Sequence, residues 1–455
     1  MAAGAATAGG RRPNVVLVFG DQWRAQATGY AGNPVVRTPH LDALAAASVD
    51  FVHAVSGCPV CSPARASLLT GQYPLAHGVF VNDVYLRPCA HSMARVFAAA
   101  GYDTAYIGKW HVDGHGRSAY IPPERRQGFA YWKALECTHD YGHSGYYSGN
   151  SEQKQYWAGY DAASQTRDAQ AYIAARGRQR PFLLVLSWGP PHEPYETAPA
   201  EFRQLYAPDR LAVPPNVPPV RQAAARRELA GYYAHCTALD ACLGELRRTL
   251  AETGQADNTI LVFFSDHGDM LGAQGHEKKQ QPWEESVRVP FLLHWPALGP
   301  GGRRLDAPID MPDVLPTLLG LCGLPVPAAV QGIDFSALIR GGPDPSDGAA
   351  LLSCIHPFGQ WWTGRGGREF RGLRTRRYTY ARSLAGPWLL YDNQADPHQR
   401  RNLVGDERHS ALLAALDAWL VRRLEAIGDE FLAGGCYLQR WGYRTDARGT
   451  VPYTE

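Results

Sequence analysis

Residues Asn14 to Gly20, Asn-Val-Val-Leu-Val-Phe-Gly, form an apolar run without alternation. A strand with one wet face alternates apolar and polar residues, so a continuous run of this kind has to be covered on both faces. Phe182–Leu186, Ile260–Phe264 and Val289–Trp295 have the same texture, and Tyr102–Ile107 reads as a further strand. Helical patterns lie between them. Thr38-Pro39 opens one that runs through Ala47, Ser92–Ala100 forms a second that stops at Gly101, and Arg226–Thr253 forms a long third. Strands alternating with helices predict an α/β fold: a mostly parallel sheet with helices on both faces.

Two stretches lack this texture. Gly114–Gln165 is rich in Gly, Tyr, Trp and His without sustained periodicity and reads as a long functional loop region. Pro208–Pro219 reads as a proline-rich linker. Near residue 345, Gly341-Gly342-Pro343 and Asp344–Gly348 mark a boundary. Beyond it, Arg371–Arg382 and Trp388–Asp392 read as antiparallel strands and Ser410–Ile427 as an amphipathic helix. The expected organisation is a disordered tail over 1–12, a catalytic domain over 13–345 and a small sheet-and-helix subdomain over 346–455.

Net charge is +2, from 45 Lys+Arg against 43 Asp+Glu, which argues against a nucleic-acid or membrane partner; a small anionic substrate would need a local cationic pocket. The first twelve residues have no apolar core of a signal peptide, no window approaches a membrane span, and the nine cysteines form no regular framework. The expected compartment is the cytoplasm.

The chemistry centres on Cys61-Ser62-Pro63-Ala64-Arg65-Ala66-Ser67-Leu68-Leu69-Thr70-Gly71. Ser62 suits an N-cap, Pro63 the first helical position and Gly71 the far end. Cys61 then sits at the positive end of a short helix, with Arg65 one turn on and facing the same way. Asp21 ends the first strand and Asp266-His267-Gly268 follows another; ligands gather at the carboxyl ends of strands in such sheets. Gly108-Lys109-Trp110-His111 follows a strand too, and on an extended segment Lys109 and His111 point the same way. In Pro190-Pro191-His192-Glu193-Pro194-Tyr195 the prolines stiffen the loop that carries His192. Asn82 is a candidate anion contact. His139, with His115 and His143, is a candidate specificity residue in the aromatic loop region.

Cys-x-Pro-x-Arg with Leu68, Thr70 and Gly71 at this spacing resembles the signature of the type I, formylglycine-dependent sulfatases of the alkaline phosphatase superfamily. Lys109-Trp110-His111 is similar to a second motif of that family, and Leu390-Tyr391-Asp392 with Asp396–Leu403 resembles its C-terminal subdomain. The resemblance implies an alkaline-phosphatase-like core with a small C-terminal antiparallel subdomain, and Cys61 oxidised by a formylglycine-generating enzyme to an aldehyde. The hydrated aldehyde would attack the sulfur of a sugar, aryl or alkyl sulfate, then expel sulfate through its second hydroxyl. It further implies a divalent metal held by Asp21, Asp266, His267 and position 61, with Arg65, Lys109 and Lys279 on the sulfate oxygens. His111 is then the base for the second step and His192 the donor to the leaving alcohol.

Gln22 stands where many relatives have a second Asp, so it either ligates the metal or contacts substrate. Lys278 lies beside Lys279 and competes for the same role. Oxygen donors favour Ca²⁺ or Mg²⁺, and the histidine nitrogen leaves Mn²⁺ open. Gln22 and His267 also fit a phosphonate monoester or phosphodiester hydrolase with the same nucleophile. A non-enzymatic alternative uses Cys58-x-x-Cys61 as a redox pair or half a zinc site.

Overall fold

In the computed structural model, which describes residues 11–177 and 180–453, ten strands form one sheet. In chain order they are β1 (Asn14–Asp21), β2 (Val49–Phe51), β3 (Asp103–Lys109), β4 (Tyr131–Leu135), β5 (Gly145–Ser148), β6 (Gln155–Tyr156), β7 (Phe182–Pro191), β8 (Thr259–Ser265), β9 (Phe291–His294) and β10 (Arg303–Leu305). Their spatial order is β10-β2-β9-β8-β1-β7-β3-β4-β5-β6. The central strands β8, β1, β7, β3 and β4 run parallel, while β9, β5 and β6 pair antiparallel with their neighbours.

β1 shows why the apolar run needs no alternation. Val15, Leu17 and Phe19 join one core with the helices Cys61–Thr70, Met93–Ala99 and Met311–Leu321. Val16 and Val18 join a second core with Pro39–Ala46, Asp161–Ala174 and Gln222–Glu252 on the opposite face. Every residue of β1 is buried.

A second sheet, antiparallel, has the order β11 (Ala349–Cys354), β12 (Phe370–Thr375), β13 (Tyr378–Ser383) and β14 (Gly386–Asp392). Its two faces separate by parity. Leu352, Phe370, Ala381 and Leu389 pack towards Val55, Met270 and Trp283 of the large domain, whereas Leu351, Leu373, Tyr380 and Leu390 pack under Leu416, Leu420 and Leu424 of the helix Ser410–Ile427.

Several sequence expectations are corrected. The stretch 114–165 is not a loop region throughout: β4, β5 and β6 extend the sheet within it, and the helix Asp161–Ala174 begins there. These strands are two to five residues long, and the helix buries polar residues (Asp161, Ser164, Gln165, Thr166) among its apolar ones, so neither leaves a strong periodicity. The stretch 371–382 is a hairpin, not one strand, and β11 pairs beside it. Residues 1–10 of the expected tail lie outside the described residues. Arg12 is held in place: its guanidinium donates to the Ala100 carbonyl and its own carbonyl accepts from Asn258 at 3.1 Å.

Gly108 fixes the approach of β3 to β7. Its φ is +106°, and a Cβ there would stand 2.0 Å from the Ser187 carbonyl oxygen. We expect Gly108→Ala to cost about 3 kcal/mol or more, from the clash and the strained backbone together. Denaturant unfolding reads the loss as a lower midpoint.

Candidate active site

The four adjacent parallel strands β8, β1, β7 and β3 all end on one side of the sheet, and each delivers site residues there. Asp21 closes β1, Lys109 closes β3, Asp266-His267 follows β8 and His192 follows β7. The helix Cys61–Thr70 starts above these ends. Its first residue is Cys61 itself, with Val60 as the N-cap, so Ser62 is not the cap. Asn82 takes that role: its Oδ1 accepts the Ser62 backbone N–H at 3.0 Å. The expected anion contact therefore spends its oxygen on the helix that carries Cys61. Gly71 closes the helix at φ 67°, as expected.

The Cys61 sulfur stands in for the oxygens that an oxidised side chain would place here. It lies 3.1 Å from His267 Nε2, 3.5 Å from Asp21 Oδ1, 3.2 Å from Lys279 Nζ and 3.8 Å from Lys109 Nζ. Arg65 donates through Nε to Asp266 Oδ2 (3.0 Å), through Nη2 to Asp21 Oδ2 (3.0 Å), and through Nη1 to the Lys109 carbonyl and Ser187 Oγ (both 2.7 Å). Lys109 Nζ donates to Asp21 Oδ2 at 2.6 Å. All these groups are buried. Burial would push the Asp21 carboxyl up, but Lys109, His192, Arg65 and Lys279 together hold it well below the carboxylate range. Burial would likewise strip the protons from Lys109, Lys279 and Arg65; their acidic neighbours keep all three charged.

One donor atom from each of Asp21, Cys61, Asp266 and His267 lies within 4.8 Å of all the others. His267 Nδ1 sits 2.9 Å from the Gly268 carbonyl, which only accepts, so Nδ1 carries the proton and the Nε2 lone pair faces Cys61. Burial pushes the His267 pKa down, keeping the ring neutral. Two carboxylates, a neutral imidazole nitrogen and the position-61 side chain fit a divalent cation. Cys58 is outside this group; burial pushes its thiol up to about 12, so the Cys58/Cys61 pair does not gather as a metal site among the described residues.

Lys279, not Lys278, reaches the site. Lys278 Nζ pairs with Glu193 Oε1 at 2.5 Å, on the outside. Lys279 Nζ reaches Cys61, Gln22 Oε1 (2.8 Å) and His192 Nε2 (2.8 Å). Gln22, at φ 71°, spends its amide on Glu193 (3.0 Å) and Asp269 (2.6 Å), so all its side-chain partners are protein groups. Its carbonyl oxygen serves to position Lys279.

The two histidines face different partners. His192 accepts from Lys279 at Nε2 and donates from Nδ1 to the Glu193 carbonyl (3.0 Å); burial first, then Lys279, holds its pKa well below the usual value. His111 does not follow Lys109 on an extended segment. Its φ is 58°, which breaks the alternation, and its Nε2 pairs with Asp83 Oδ1 at 3.0 Å while Nδ1 stays buried and unpartnered. His139 stacks on His192 with ring centroids 4.7 Å apart. Of the other loop histidines, His115 packs edge-on against Tyr85 and His143 stacks on Tyr156.

Sequence reasoning missed four residues that hold this arrangement: Asp83, Ser187, Glu193 and Asp269. Asp269 accepts from Gln22 and from the Tyr195 hydroxyl, and burial raises its carboxyl to about 6. Glu193 and Asp269 had a signal, since each stands within two residues of a residue already singled out. Asp83 had the same signal, standing next to Asn82, whereas Ser187 had none, because a lone Ser at the end of an apolar run carries no pattern.

Comparison with known proteins agrees with this geometry. The Sulfatase family model matches residues 13–324, and the model for the N-sulphoglucosamine sulphohydrolase C-terminal region matches residues 272–426. The chain is 46% identical over 450 residues to an ulvan-active sulfatase of Formosa agariphila, covering 98% of this chain and 87% of that one. It is 31% identical to an endo-4-O-sulfatase of Bacteroides thetaiotaomicron, covering 87% and 88%. The solved structure of the sulfatase-family protein YidJ from Bacteroides fragilis superposes with a TM-score of 0.85 at 30% identity, covering 92% of this chain and 97% of that one. With the strand ends, the Cys61 helix and the cationic cluster all in place, the chain belongs to the sulfatase family and is a sulfuric ester hydrolase.

Proposed function

We propose that the protein removes sulfate from a sulfated carbohydrate, using a Cα-formylglycine made from Cys61 and a divalent cation, Ca²⁺ first, held by Asp21, Asp266, His267 and position 61. The observation that carries this reading is the Cys61 sulfur, which sits among two ammonium groups, a carboxylate and an imidazole lone pair in a buried site. When present, a hydrated aldehyde at position 61 supplies the nucleophilic hydroxyl and a second hydroxyl for release, and the cation supplies charge near the sulfate oxygens.

The remaining chemistry belongs to the side chains. Lys109 and Lys279 flank position 61 and neutralise the sulfate oxygens, while Arg65 holds both metal-binding carboxylates in place. Asp83 accepts from His111 Nε2, leaving the buried Nδ1 lone pair to act as the base. The proton for the leaving alcohol comes from the Lys279–His192 pair, in which the ammonium donates to the imidazole in the resting state. The sugar class rests on the ulvan-active and endo-4-O-sulfatase relatives.

The test is peptide mass across Cys61 after expression with a formylglycine-generating enzyme, followed by sulfate release from ulvan oligosaccharides. The expected peptide has one oxygen in place of a sulfur and two hydrogens. An unconverted but active enzyme would overturn the aldehyde, and turnover of phosphonate monoesters without sulfate esters would overturn the reaction. For the cation, chelator treatment is expected to lower activity and the melting temperature together. Added Ca²⁺ at a hundredfold excess over its Kd restores about 2.7 kcal/mol of stability in the parent and little of it in His267→Ala.

A further inference from the structure

One exposed cation stands just outside the buried cluster. Arg117 lies on the segment after His111, and its backbone carbonyl accepts from the Cys137 N–H at 3.1 Å, tying it to the end of β4. The carboxylates of this region are committed elsewhere. Asp83 holds His111, Asp113 pairs with Arg125 at 2.8 Å, and Glu136 accepts the backbone N–H groups of Asp113 and Gly114. Among the described residues the exposed Arg117 guanidinium forms no close ion pair, and the carboxylate that attracts it, Asp83, is already held by His111.

Its surroundings span both halves of the catalytic apparatus. On one side, Arg117 Nη1 lies 3.5 Å from His139 Nδ1, and the His139 ring in turn covers His192. On the other side stand Asp83 and Tyr453. Tyr453 arrives from far along the chain. After the helix Gly434–Trp441, the Tyr443 hydroxyl donates to the Gly78 carbonyl (3.0 Å), the Gly359 N–H donates to the Arg448 carbonyl (2.9 Å), and Val451 is buried. The Tyr453 hydroxyl ends between Asp83 and Arg117 and interacts with both. A ligand oxygen that reaches this hydroxyl and the guanidinium beside it gains hydrogen bonds from both.

The order of groups sets what would bind. The sulfate belongs at Cys61, the leaving oxygen at the Lys279–His192 pair, and His139 lies one ring further out. Arg117 lies beyond His139, where the alcohol part of the substrate extends. A guanidinium presents parallel N–H donors that suit a carboxylate or a sulfate. We propose that Arg117 and Tyr453 form a subsite for a second anionic group of the substrate, a carboxylate or a further sulfate on the sugar that bears the scissile ester or on its neighbour. The proposal rests on the carbohydrate sulfatase reading above.

The experiment compares kcat/KM for a sulfated oligosaccharide with that for 4-nitrophenyl sulfate, which carries no second anion. In Arg117→Ala the ratio of the two is expected to fall about 30-fold, through KM and with a weakened salt dependence, and to fall less in Arg117→Lys. Tyr453→Phe is expected to lower the same ratio several-fold by loss of one hydrogen bond. Two substrate arms identify the anion: reducing the carboxyl groups of the oligosaccharide reproduces the Arg117→Ala loss if a carboxylate is bound, and removing the second sulfate does so if that group is bound. An equal fall on both substrates would assign Arg117 to the support of His139 and Asp83 and overturn the subsite, as would no change on either. A formylglycine-bearing parent enzyme inactive on every sulfated oligosaccharide overturns the carbohydrate reading instead, so the two failures are distinct.

Discussion

Cys61→Ala is expected to lower sulfate-ester turnover by about 10⁴-fold or more, since it removes the proposed nucleophile. The loss is chemical and not structural. The thiol makes no hydrogen bond that the fold needs, and Arg65, Asp21, Lys109 and Asp266 stay paired with one another. Unfolding midpoints of parent and variant should therefore agree while their rates diverge. Cys61→Ser separates the two halves of the reaction. A serine hydroxyl has no second oxygen through which to expel sulfate, so transfer stops after one event and intact mass shows one SO₃ per chain. Sustained turnover by Cys61→Ser would sink the aldehyde mechanism.

Arg65→Ala is expected to be the most damaging single change to stability near the site. It deletes donors to both carboxylates, to the Lys109 carbonyl and to Ser187, and leaves two buried negative charges with Lys109 as the remaining close cation on Asp21. Breaking a buried pair in this way costs about 3–5 kcal/mol. The pH dependence follows from Asp21 in the metal-free protein. Its folded pKa is depressed, so its contribution is full above an unfolded value of about 4 and is lost as pH falls through the folded value. Removing Arg65 raises that folded value, and the acid limb of the stability curve should move to higher pH. A variant with an unchanged acid limb would show that Lys109, His192 and Lys279 suffice to hold Asp21.

The sheet was legible because covered strands leave short continuous apolar runs rich in β-branched and aromatic residues, as β1, β7 and β8 show. The edge was not. β4, β5 and β6 are short and partly exposed, so their residues answer to neighbours that sequence spacing cannot name. At the site, Asp21, Cys61, Arg65, Lys109, His192, Asp266, His267 and Lys279 gather as the strand-end argument expects, because strand register carries them there. Orientation was harder to read. The turn of φ at Gln22 and His111 sends those side chains to Lys279 and Asp83, and nothing in their spacing announces a left-handed backbone. Arg117 and Tyr453 come together across more than three hundred residues, beyond any motif.

Every residue from Cys61 to Thr70 is buried. If Cys61 is oxidised as proposed, the modifying enzyme therefore has no access to this peptide once the domain has closed. Modification and folding become competitors in time, and vectorial synthesis decides between them. β1 is made before the helix, but its two partners, β7 and β8, emerge later, β7 about 110 residues after Gly71. At roughly 5–20 residues per second that delay is on the order of ten seconds, the window in which a nascent chain still shows its cysteine. Protein refolded from the unmodified state would then be native in shape and permanently inert, so the catalytic fraction of a preparation records how its maturation was timed.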